Sequence, residues 1–101
     1  MYAVIFSLKR SNTLEGYQEM DELTMQEAEK INGYKGYESV YNENQEGIFI
    51  SYWESMEAIN EWRNNTLHQT AKLKGIEQWY DRYSIKICKI EHSNDFVKNI
   101  K

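Results

Sequence analysis

Two stretches of the chain, Tyr2–Phe6 and Ile48–Trp53, are apolar at consecutive rather than alternate positions, so neither face of either strand reads as solvated. Both are expected to be central strands. Between them Tyr17, Met20, Thr24, Ala28 and Ile31 recur at spacings of three and four, which predicts a helix with Ser11, Asn12 or Thr13 as N-cap and Gly33 as its stop. Tyr37, Ser39 and Tyr41 then alternate with Glu38, Val40 and Asn42, a strand with one wetter face, and Asn42–Gly47 supplies the turn of a hairpin. Ser55 is a second N-cap, so a helix starts at Met56 and carries Ala58, Ile59 and Trp62 on one face. Asn64 and Asn65 interrupt it. Thr66-Leu67-His68-Gln69 has capping-box spacing, which restarts a helix that ends at Gly75 and predicts a kink or break between the two pieces. Tyr83, Ile85 and Ile87 alternate with Ser84, Lys86 and Cys88 in a last strand over Arg82–Ile90.

Strand, helix, strand, strand, helix, strand is the split order of the α+β ferredoxin-like βαββαβ fold, an antiparallel sheet whose first and third strands lie in the middle. Those are the two strands apolar on both faces. Right-handed crossovers place the helices on one face only, which leaves an apolar face bare unless a second copy covers it, so a homodimer is expected. One domain over residues 1–92 and a polar tail over 93–101, apolar only at Phe96, Val97 and Ile100, account for the 101 residues.

Aromatic residues make up 14% of the chain, with eight Tyr, three Trp and three Phe, more than a core of this size needs. Tyr and Trp suit an apolar, partly wet pocket or interface. The net charge of −4 is unevenly spread, about −7 over residues 1–57 against +3 over 58–101, which favours attraction between the halves. The basic residues are spread singly, so nucleic acid is not an expected partner. Cys88, the single cysteine, permits neither an intrachain disulfide nor a cysteine metal cluster, and is expected to be a small buried hydrophobe in a reducing, cytoplasmic setting. The apolar run at the N-terminus is too short for a signal peptide or a membrane span, so no membrane partner is expected. There is no glycine-rich phosphate loop, no His-Glu-x-x-His, no Cys-x-x-Cys and no Gly-x-Ser-x-Gly.

Tyr52-Trp53-Glu54-Ser55-Met56-Glu57-Ala58, then Trp62-Arg63, His68 and Trp79-Tyr80-x-x-Tyr83, resemble the antibiotic biosynthesis monooxygenase (ABM) domain family over about Tyr2–Glu91. The resemblance implies a dimeric α+β barrel, two subunits stacking their sheets, with a pocket between sheet and helices in each. It also implies either a cofactor-independent oxygenase of small aromatics or quinols, with no cofactor and no metal, or a haem-degrading enzyme, or a ligand-binding relative without catalysis. The haem branch fits poorly, because Lys72 stands about where its ligating histidine falls and Phe6 or Ser7 where its first-strand asparagine falls.

On that resemblance Trp62 and His68 are the catalytic candidates, and Tyr52, Trp79, Tyr80 and Tyr83 the substrate-binding ones. Each has a plainer use. Trp62 continues the stripe of Ala58 and Ile59, and Trp79, Tyr80 and Tyr83 could simply pack the connection from helix to strand. His68 titrates near neutrality, and its place just inside a helix N-terminus favours the uncharged ring.

Overall fold

The computed structural model describes residues 1–99. Its elements are β1 (Tyr2–Arg10), α1 (Tyr17–Glu29), β2 (Tyr34–Tyr41), β3 (Glu46–Trp53), α2 (Met56–Arg63), α3 (Thr66–Lys74), a single π-helical turn (Gly75–Trp79) and β4 (Tyr80–Lys89). The four strands form one antiparallel sheet in the order β2-β3-β1-β4, so the two strands apolar on both faces are the inner ones. This is the ferredoxin-like arrangement.

Register sorts the side chains. Val4 lies between Ser51 and Ile87, and Phe6 between Phe49 and Ile85, all on the helix side. Ile5 opposite Ile50, and Ser7 opposite Ile48, occupy the other face, where Val40 also points and stays 71% exposed. On the helix side Trp53, Ala58, Ile59, Ala28 and Ile31 form the buried core. Trp53 is 1% exposed, and its indole donates to the buried Ser51 hydroxyl at 2.9 Å, so its one polar atom is satisfied.

Helix ends depart from expectation in instructive ways. Ser55 caps α2 as expected, its hydroxyl accepting from the Ala58 amide at 3.1 Å. The cap of α3 is Asn65, one residue ahead of the expected Thr66, and its side-chain oxygen accepts from the His68 amide at 3.0 Å. At α1 none of Ser11, Asn12 and Thr13 is the cap; Gly16 stands there instead. Ser11 is taken by the far end of the chain, its amide donating to the Trp79 carbonyl at 2.7 Å and its hydroxyl to the Gln78 carbonyl. Gly75 does not stop the second helical region, which widens into the π-helical turn, and β4 starts two residues earlier than the pattern placed it.

Cys88 is exposed rather than buried. With Tyr83, Ile85 and Ile87 on the helix side, the two-residue period forces Cys88 to the helix-free face, opposite Ala3. The opposite-charged halves meet in the Arg82–Glu46 ion pair at 2.7 Å. In the tail Phe96 and Val97 are 82% and 89% exposed, so they do not dock within the chain, and Ile100 lies outside the described residues. Among the described residues no helix is long and apolar enough to cross a membrane.

Candidate functional site

Between the sheet and the helices lies a cavity of about 890 Å³. Ile85 and Ile87 line it and yet remain 45% and 37% exposed, which marks the β4 edge as its open side. The two ends differ in chemistry.

At the first end three rings stack. Trp53 in the core carries Trp62 at 6.1 Å between centroids, and Trp62 carries His68 at 4.3 Å with 22° between planes. The break between α2 and α3 makes this possible, because Trp62 sits in the last turn of one helix and His68 in the first turn of the next. Burial lowers the His68 pKa below the usual histidine value; the Trp62 carbonyl works the other way and the Lys72 ammonium adds to the lowering. The ring is therefore neutral at pH 7. Its Nδ1 is enclosed by the protein, which leaves Nε2 as the ring nitrogen able to meet a ligand in the cavity.

At the second end the phenols of Tyr17, Tyr41 and Tyr80 converge on the cavity wall. The Tyr17 hydroxyl interacts with those of Tyr41 and Tyr80, and the Tyr17 and Tyr80 ring centroids are 6.2 Å apart, edge to face. Arg10 stands behind them, its guanidinium carbon 4.0 Å from the Tyr41 ring centroid and 5.6 Å from that of Tyr17. Burial raises all three phenol pKa values, with Tyr80 pushed up to about 12, so each hydroxyl keeps its proton and can donate. Two glycines make room for two of these rings. A Cβ at Gly47 would overlap the Tyr41 ring, and one at Gly75 the Tyr80 ring.

Trp62, His68, Trp79, Tyr80 and Tyr83 all line the cavity. Trp79 is 3% exposed and its indole donates to the Glu15 carbonyl at 3.0 Å, so it also closes the wall structurally. Tyr52 departs from the expectation that put it in the pocket. Its neighbour Trp53 faces the helices, so Tyr52 must face away, and its hydroxyl approaches Glu38 at 3.4 Å on the helix-free side. Arg10, Tyr17 and Tyr41 were not among the sequence-predicted site residues. Lys72 also lines the cavity, one turn beyond His68. Among the described residues no group of three or more His, Cys, Asp or Glu side chains is placed to hold a metal ion.

Comparison with known proteins agrees with this architecture. The family described as Antibiotic biosynthesis monooxygenase matches residues 10–74. YqjZ of Bacillus subtilis (strain 168), an uncharacterized protein, is 43% identical over 98 residues, which is 97% of this chain and 86% of YqjZ. Rv0793 from Mycobacterium tuberculosis superposes with a TM-score of 0.78 at 11% identity, over 93% of this chain and 98% of its own. SnoaB, a cofactor-independent oxygenase from Streptomyces nogalater, superposes with a TM-score of 0.76 at 5% identity, over 91% and 94%. At such low identities the two structures establish the shared fold and not a shared chemistry.

Proposed function

Because the chain belongs to the antibiotic biosynthesis monooxygenase family, we propose that it is an oxygenase that needs no bound cofactor and acts on a small phenolic or quinol-type aromatic held between sheet and helices. The observation that carries this reading is His68, stacked on Trp62 in the cavity wall and kept neutral by burial. A flat ring fits an aromatic-lined slot, and a neutral imidazole in the wall of that slot can remove a proton from it. Deprotonation makes the ring electron-rich enough to react with dioxygen. For a ring methylene flanked by aromatics, the substrate's own hydrogens and electrons complete the reaction: one oxygen atom becomes a carbonyl on that carbon and the other leaves as water with both hydrogens. His68 then acts as base and Trp62 as the surface against which the ring lies, while Trp79, Tyr80 and Tyr83 close the remaining walls.

The assembly proposed is a homodimer in which a second copy covers the helix-free face, where Ile5, Ile48, Ile50 and Val40 lie. Ile48 is 43% exposed in the single chain, and such a patch is what a stacked sheet would bury. The setting proposed is the reducing cytoplasm, where Cys88 stays a free thiol.

The test is oxygen consumption with a panel of anthrones and hydroquinones. Uptake that falls at least about a hundredfold in His68→Ala supports the base role. Unchanged uptake in both His68→Ala and Trp62→Phe removes those residues from the mechanism. An aromatic retained by the native protein without any oxygen uptake would instead identify a ligand-binding protein.

A further inference from the structure

We propose that Tyr17, Tyr41 and Tyr80, backed by Arg10, form an anion subsite that receives the ionised oxygen of a hydroxyaromatic ligand, at the end of the cavity away from His68. The inference rests on the reading of the cavity as an aromatic-binding site and adds the charge state and orientation of what binds.

Four observations carry it. First, Arg10 is held where several elements meet: its amide donates to the Gln45 carbonyl at 2.9 Å in the β2–β3 turn, and it pairs with Tyr80 at the register shift between β1 and β4. Second, no carboxylate holds its guanidinium at ion-pair distance among the described residues, although Asp21 lies in its field. Its Nε is enclosed without a hydrogen-bond partner. Its guanidinium rests on tyrosine rings, which leave it a full cation. Third, the hydroxyls beside that cation are kept protonated by burial and bond to one another through Tyr17, so they are donors that can turn from each other to an oxyanion in a partly dry site. Fourth, the charged side chains that line the cavity are Arg63, Lys72 and Asp21, a net positive balance inside a chain of net charge −4. Asp21, the one opposing group, lies in the field of Arg10 and of all three phenols, and burial raises its pKa, which weakens its hold on the charged form.

A ligand bound this way has its ring in the aromatic slot and its ionised oxygen on the phenols. Tyr80 is placed by Gly75 and Tyr41 by Gly47, so the donors are fixed before the ligand arrives.

The probes are 4-nitro-1-naphthol, whose anion absorbs visible light, and 1-nitronaphthalene, which keeps the ring and lacks the hydroxyl. Spectrophotometric titration of the first against pH, free and bound to the full chain, is expected to show its ionisation moved down by about one unit, a tenfold preference for the anion. Tyr41→Phe and Tyr80→Phe together, or Arg10→Gln, are expected to weaken naphtholate binding about tenfold and leave 1-nitronaphthalene binding unchanged. The phenylalanine variants keep every ring, so the test does not depend on the arginine variant folding. A bound probe whose ionisation is unmoved or raised overturns the subsite while leaving the aromatic cavity intact. Variants that lose both probes equally overturn it too. If neither probe binds the unaltered protein, the cavity reading fails and the subsite fails with it.

Discussion

The two ends of the cavity are built by opposite means. At the His68 end position comes from packing: Trp53 is anchored by Ser51, Trp62 lies on Trp53, and His68 lies on Trp62. At the Arg10 end position comes from the backbone of distant segments, with β1, the start of α1, the end of β2 and the start of β4 each delivering one side chain. The first end is continuous with the core and the second is not. A change at the first end should therefore be felt mainly as lost stability, and one at the second mainly as lost binding.

The largest expected effect tests that contrast directly. Trp53→Ala removes the 1%-exposed base of the ring stack and strands the Ser51 hydroxyl, and should cost about 3–5 kcal/mol in urea unfolding. Tyr80→Phe, which deletes one hydroxyl at the other end, should cost no more than about 1 kcal/mol. Equal costs would mean that the phenol end is core and the contrast is false. Gly47→Ala and Gly75→Ala fall between. Each drives a methyl into a tyrosine ring, and should cost about 1–3 kcal/mol while releasing Tyr41 or Tyr80 from its seat. Near-neutral values there would show that these rings are free to move.

The sequence was most legible where chemistry and periodicity lie within one segment. The inner strands followed from their two apolar faces, α2 from Ser55, and the division of the second helical region from Asn64-Asn65. The Arg10 end was hidden because nothing local connects residues 10, 17, 41 and 80. Tyr17 read as the start of a helical stripe and Tyr41 as an arm of a hairpin. One signal was available: pairing the outer strand β4 with β1 brings Arg10 opposite Tyr80. Tyr52 was misplaced for a simpler reason. It was assigned by its place in a motif, although strand parity sets it on the face opposite Trp53.

Smaller effects sharpen the His68 end. Asn65→Ala removes the side chain that accepts the His68 amide, and should cost about 1 kcal/mol. Ser55→Ala removes an equivalent cap from α2, at about the same cost. If the ring stack depends on where α3 begins, only the Asn65 change should alter the near-ultraviolet signal of Trp62.

The smallest expected effect is a pH dependence. Burial lowers the His68 pKa, so in the unfolded chain the imidazole takes up a proton at higher pH than in the folded one. The unfolded state then binds more protons as pH falls past the ordinary histidine value of about 6.5, and stability drops there. The contribution is complete above about pH 6.5 and is lost progressively as pH falls toward the lowered folded value. His68→Gln has no such proton to take up. Urea midpoints compared at about pH 7.5 and pH 5.5 should therefore fall less in His68→Gln than in the unaltered chain, the carboxylates contributing equally to both. Parallel slopes would place His68 in a site wetter than its stack on Trp62 implies, and would weaken its assignment as the neutral base.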